Sequence, residues 1–200
     1  IVYFSADDGE NGYELWKSDG TESGTTLVKD IWSGSNGSNP NNLMMIGDLL
    51  YFTAETNSEG RELWKSDGTE SGTELVKDIN TSSSSWPETF RVLNETLYFT
   101  AATSSAGREL WTTDGTSSGT VMVKDINSGS SESQIGDDLV VMNGMLYLSA
   151  TNSTYGQELW KSDGTESGTV LLKDIVSGST GSGADRLVAV DDTLYFSAAT

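Results

Sequence analysis

The residues able to do chemistry in this 200-residue chain are carboxylates: it has 30 Asp and Glu but no His and no Cys. Without His the usual general base and the commonest zinc ligand are missing, and without Cys there is no thiol nucleophile, thiolate metal site or disulfide. Asp19, Asp67, Asp114 and Asp163 each precede a Gly inside a turn-like segment. Carboxylate and hydroxyl oxygens gathered there suit a hard cation, so calcium is the one cofactor the sequence brings into question. The spacing is not that of an EF-hand loop, and the same Asp residues read more simply as acceptors for their own turns. Asp30, Asp78, Asp125 and Asp174 follow Lys in "KDI" and would either converge as a ring that binds a cation or act locally, pairing with Lys or capping a strand end. Acid–base catalysis would need an Asp/Glu pair, as in a glycosidase. No carboxylate is unique among so many, so no catalytic residue is assigned and the chain is read as non-enzymatic.

A second set of residues concerns sugars. Asn36, Asn80, Asn94 and Asn152 each open an Asn-X-Ser/Thr triplet and are candidates for glycosylation. Asn36, Asn80 and Asn152 are expected in exposed loops and Asn94 in a tight turn. The Ser/Thr runs "SGSNGS", "TSSSS" and "SGSTGSG" would suit O-linked sugar or plain flexible loop. Trp32 and Trp86 depart from the repeat described next, as do Tyr13 and Tyr155. These four are the candidate binding surface, because departures from a repeat are where specificity is expected.

The elements that must hold these residues recur. "ELWKSDGTESGT" begins at Glu14, Glu62 and Glu158, and "ELWTTDGTSSGT" at Glu109. A companion phrase of the "LYFTA" type places Tyr3, Tyr51, Tyr98, Tyr147 and Tyr195 at spacings of 48, 47, 49 and 48. Trp16, Trp64, Trp111 and Trp160 keep step at 48, 47 and 49. Each repeat reads as a short apolar strand such as "FRVLN", a two-residue turn, "LYFTA", a loop, "RELWTTD", the "DGTSSGT" turn and "VMVKDI". The two-residue turns are Gly47-Asp48, Asn94-Glu95, Asn143-Gly144 and Asp191-Asp192, and their Asn, Asp and Gly residues tolerate positive φ. The expected fold is therefore all-β: a β-propeller of four four-stranded antiparallel blades, each of about 48 residues. It would form a single domain over residues 1–200, with repeats at about 2–49, 50–96, 97–145 and 146–193, and residues 194–200 beginning a fifth. The four Trp would fill the seams between blades, each contributing on the order of 3 kcal/mol. The four Asp-Gly turns would be structural.

The four-fold phrase resembles the ELWxxDGT repeat proteins, and the match covers all four copies. That resemblance implies a propeller-like fold in large secreted or surface-attached proteins and implies no activity. Both ends of the chain, "IVYFSADDG" and "LYFSAAT", read like the middle of something, so a window of a longer repeat array is expected. Otherwise the extra terminal strand would join a neighbouring copy, or Arg186 to Val190 would supply the strand that precedes Val2 and close a four-bladed ring.

A net charge of −19 argues against nucleic acid and anionic lipid as partners, and no apolar run is long enough for membrane insertion. The functional expectation is an extracellular or cell-surface structural or adhesive protein. It would act as a rigid scaffold or filament subunit, carry glycans in some forms, and partner with copies of itself or neighbouring repeats. A carbohydrate- or protein-binding propeller is the alternative, and a glycosidase a remote one.

Overall fold

The computed structural model describes residues 1–136 and 138–200. Among them there is no helix, and 17 strands assemble into five antiparallel sheets. No helix among these residues is long and apolar enough to cross a membrane.

Sequence order and hydrogen-bonding order coincide, as expected where each strand feeds its neighbour through a hairpin. The first sheet is β1 (Val2–Asp7), β2 (Tyr13–Ser18) and β3 (Thr26–Lys29). The second is β4 (Asn41–Ile46), β5 (Leu49–Thr56), β6 (Gly60–Ser66) and β7 (Glu74–Lys77). The third is β8 (Glu88–Leu93), β9 (Thr96–Thr103), β10 (Gly107–Thr113) and β11 (Val121–Lys124). The fourth is β12 (Leu139–Met142), β13 (Met145–Asn152), β14 (Gly156–Ser162) and β15 (Val170–Lys173). The fifth is β16 (Asp185–Val190) with β17 (Thr193–Ser197). Three sheets thus have the expected four strands, while the first has three and the last two. Each four-stranded sheet starts one strand before the "LYF" phrase, so repeats counted from that phrase cut every sheet after its first strand.

Local chemistry explains the connections. Asn94 and Glu95 both take positive φ, 51° and 62°, and Asn143 and Gly144 take 51° and 71°. These are the conformations a two-residue turn needs to match the twist of its strands. In every sheet that contains it, the "ELW" strand breaks register between Leu and Trp: at Leu15/Trp16, Leu63/Trp64, Leu110/Trp111 and Leu159/Trp160. A bulge of this kind re-aims the side chain that follows it, and here that side chain is the indole.

By internal contacts the chain divides into two compact units, residues 1–88 with 115–117, and residues 89–114 with 118–200. In the first unit Trp64 packs with Leu15 and Val28 of the first sheet and with Leu50 and Phe52 of the second. In the second unit Trp160 packs with Tyr98, Leu110 and Val123 of the third sheet and Leu139, Leu146 and Leu148 of the fourth. Leu159, Ala184 and Leu187 form a smaller cluster with Tyr147 and Leu194 against it. Strands β5 and β9 each carry five consecutive buried residues, Leu50–Ala54 and Leu97–Ala101.

Candidate functional site

The Asp19, Asp67 and Asp163 turns are built almost identically. Asp67 Oδ1 accepts from the Thr69 backbone N–H at 2.9 Å and from its hydroxyl at 2.7 Å. Thr69 Oγ1 accepts from Gly72 N at 3.0 Å, and Thr73 Oγ1 donates back to the Thr69 carbonyl at 2.7 Å. Ser66 and Thr73 join their hydroxyls at 2.7 Å across the base of the turn. The Asp19 and Asp163 turns repeat these contacts. Hydrogen bonds from Thr21, Thr69 and Thr165 hold the carboxyls of Asp19, Asp67 and Asp163 below the ordinary carboxylate range. Around Asp114 the hydroxyl pair is kept, Thr113 with Thr120 at 2.7 Å. These carboxylates serve their own turns, and among the described residues no three His, Cys, Asp or Glu side chains gather as a metal site.

The phrase contains a second carboxylate that sequence reasoning did not single out. Glu14, Glu62, Glu109 and Glu158 are all fully buried. Each reaches under the loop that leaves the last strand of its sheet. Glu14 accepts from Ile31 N at 3.1 Å, Trp32 N at 3.2 Å, Ser38 N at 2.9 Å and Ser38 Oγ at 2.5 Å. Glu62 accepts from Ile79 N at 3.0 Å, Ser85 N at 2.7 Å and the Ser85 hydroxyl. Glu158 accepts from Val176 N at 3.0 Å, Ser182 N at 2.9 Å and Ser182 Oγ at 2.6 Å. Glu109 accepts from Ile126 N at 3.0 Å, while the Ser133 hydroxyl turns to the Arg108 carbonyl at 2.9 Å. Its Oε1 has no partner among the described residues. Burial pushes Glu62 and Glu109 up to about 7 against the pull of these donors. At Glu158 burial also raises the carboxyl, but Ser182 and the backbone N–H groups outweigh it and hold it below its ordinary value.

A third device joins neighbouring sheets. Within the first unit Lys17 Nζ donates to the Gly68 carbonyl at 2.8 Å and Lys29 Nζ to the Thr73 carbonyl at 2.8 Å. The Tyr3 hydroxyl sits over Gly68, 2.3 Å from where a β-carbon would stand. Lys65 Nζ donates to Gly115 at 2.9 Å, and the Tyr51 hydroxyl covers that glycine in the same way. Within the second unit Lys124 Nζ donates to the Thr169 carbonyl at 2.9 Å and Tyr98 covers Gly164. The Tyr and Lys letters of the repeat are therefore the face that holds the next Asp-Gly turn.

The remaining candidates separate by exposure. Trp64, Trp111 and Trp160 are buried and Trp16 half-buried, and no indole N–H of the four has a partner among the described residues. Asn36 and Asn94 are exposed. Asn80, expected in an exposed loop, is buried, with its amide donating to Ser83 Oγ at 3.1 Å. Asn152 is half-buried, and its amide donates to the Ile126 carbonyl at 2.5 Å. Asp30, Asp78, Asp125 and Asp174 each keep a buried Oδ1 with no partner among the described residues. Tyr155 packs on the second unit's core, and Trp32 is half-buried with its backbone on Glu14. Tyr13 is exposed.

Trp86 is the exception. It is 48 % exposed and has φ 49°. Its counterparts after Ser38, Ser133 and Ser182 are Asn39, Gln134 and Gly183, at φ 48°, 51° and 60°. The repeat thus demands left-handed backbone here, which Gly supplies freely and a bulky residue adopts at about 1–2 kcal/mol. The Arg61 guanidinium carbon lies 5.4 Å from the Trp86 ring centroid. Arg61 is itself fixed by Glu55 at 3.2 Å and the Asn39 carbonyl at 2.9 Å. Beside the ring a cavity of about 250 Å³ is lined by Asn39, Asn41, Asn42, Thr53, Arg61, Trp86, Pro87 and Glu88, all in the first unit.

Comparison with protein-family models, with curated proteins and with solved structures returned no match for this chain. The functional argument therefore rests on its own residues. Sequence reasoning missed the buried glutamates and the Ser positions beneath them, although Ser38, Ser85, Ser133 and Ser182 recur at 47, 48 and 49, within one residue of the Trp spacings of 48, 47 and 49.

Proposed function

We propose that this chain is a non-enzymatic scaffold in which propeller-type blades add in series, working outside the cell or at its surface in a structural or adhesive role. The observation that carries this reading is the joint: Tyr3, Lys17 and Lys29 of one sheet hold the Gly68–Thr73 turn of the next. Each joint sets two different surfaces face to face. Heterologous contacts of this type repeat without limit unless geometry closes them into a ring. The repeated polar side chains engage one another, so the letters written four times describe assembly. The likeness of the phrase to ELWxxDGT repeat proteins supports the same reading, and membership of that family is part of the proposal. The exposed Asn36 and Asn94 are compatible with glycan decoration.

Light scattering and negative-stain microscopy of the purified protein test it. Particles that lengthen end to end with concentration are the expected result. A monodisperse particle that never associates would remove the filament role, and turnover of a glycoside substrate would remove the non-enzymatic one.

A further inference from the structure

We infer that the cleft between residues 39–42 and 86–88 binds one pyranose ring of a neutral glycan. Three observations converge on it.

First, Trp86 is where the fold does not ask for Trp. The equivalent position is Asn39 in the first repeat, Gln134 in the third and Gly183 in the fourth, all at positive φ, so the left-handed backbone belongs to the repeat and the large aromatic ring is the departure. The ring is half exposed, so core packing does not account for it. A bulky aromatic held in an unfavourable backbone conformation and left in solvent points to a ligand.

Second, the ring is held ready. Arg61 stacks on it at 5.4 Å and is anchored by Glu55 and the Asn39 carbonyl. A platform fixed before binding loses little freedom when a ligand arrives. Indole faces favour the apolar C–H face of a pyranose for the reason they favour other apolar faces with polar rims.

Third, the lining matches hydroxyl groups. Asn41 Nδ2 and the Oδ1 atoms of Asn39 and Asn42 have no partner among the described residues, whereas the opposite ends of these amides are fixed by Asn42 N, Glu55 and the Pro87 carbonyl. These three amides line a cavity of about 250 Å³. That is below the roughly 300–1,000 Å³ of drug-sized pockets and suits a single ring whose neighbours lie outside. Arg61 is balanced by Glu55, and the chain carries −19 overall. A carboxylated or sulfated sugar is therefore disfavoured and a neutral one selected.

Saturation-transfer NMR on the intact chain, with methyl glycosides of glucose, galactose, mannose and N-acetylglucosamine at millimolar concentration, tests the site. At least one glycoside is expected to bind. Trp86→Gly should weaken that binding about tenfold or more while leaving the unfolding midpoint unchanged or raised, because Gly183 already occupies the equivalent position. Trp32→Ala should bind as the parent does. Two results would overturn the inference: no saturation transfer to any of the four glycosides, or a Trp86→Gly protein that binds as tightly as the parent.

Discussion

The phenol oxygen of Tyr98 lies 2.0 Å from the point where a β-carbon on Gly164 would stand. Gly20 occupies the same turn position in the first sheet, at φ 92° against 91°, but nothing lies within 4 Å of its missing β-carbon. The pair separates backbone strain from packing. Gly20→Ala is expected to cost about 1–2 kcal/mol, the strain of positive φ alone. Gly164→Ala should add about 1–3 kcal/mol for displacing Tyr98. Denaturant titration of the two variants measures the difference. Tyr98→Phe combined with Gly164→Ala should recover part of it, and equal losses at both glycines would refute the joint.

The buried glutamates set a pH limit. Glu62 and Glu109 have folded pKa values of about 7, above the ordinary 4.5, because burial penalises their charged forms. The folded protein therefore holds more protons than the unfolded chain between those values. Their contribution is fully present below pH 4.5 and is lost as pH rises through about 7. Unfolding midpoints should fall between pH 5 and pH 8. Glu62→Gln removes one titrating group and should flatten that slope, while lowering stability by about 1–3 kcal/mol at pH 5 through lost acceptors. An unaltered slope in the Gln variant would show that the titration lies elsewhere.

The exposed turns act at the other end of the scale. Hydrogen bonds from Thr21, Thr69 and Thr165 lower the pKa values of Asp19, Asp67 and Asp163 below 3.8. Their stabilising effect is present above the ordinary value and is lost as pH falls through the lowered one. With the glutamates this places the stability maximum on the acid side of neutrality, and thermal melts from pH 2 to pH 8 locate it. Asp67→Asn keeps Oδ1 as an acceptor and should melt closer to the parent than Asp67→Ala does.

What the sequence disclosed follows from range. The Asp-Gly-Thr turn was readable because its hydrogen bonds span two to four residues, and the strands because hairpins pair neighbours. The grip of Glu14 on Ser38 spans 24 residues and that of Lys17 on Gly68 spans 51, so their meaning appears only once the sheets are built. Serines that recur close to the repeat period were present as a signal but lay among other serines. Trp86 was visible as a departure from the repeat, whereas the platform beneath it needed Arg61 to be brought across from β6. Asn80 misled because a Ser-rich loop reads as exposed, yet this one folds back on its own Asn amide.

Exposure sorts the glycosylation triplets. Asn36 and Asn94 present their amides to solvent, while Asn80 and Asn152 donate theirs inward to Ser83 and to the Ile126 carbonyl. A transferase acting on the folded chain should modify Asn36 and Asn94 and leave the other two bare. Peptide mass mapping after such treatment checks this. Occupancy at Asn80 would mean that the sugar was attached before the loop folded.

The indoles carry the last test. Trp64 is 7 % exposed and packs between the first and second sheets, but its N–H has no partner among the described residues. Its contribution is therefore shape and apolar area, offset by a buried donor that lost its hydration. Trp64→Ala should cost about 3–5 kcal/mol through the cavity it leaves. Trp64→Phe removes the unsatisfied N–H along with part of the ring, so its loss should stay clearly below the Ala value, at about 1–2 kcal/mol. Denaturant titration of both variants decides between the two accounts: a Phe variant as damaged as the Ala variant would mean that the indole N–H is bonded and that the seam is polar rather than apolar at its centre.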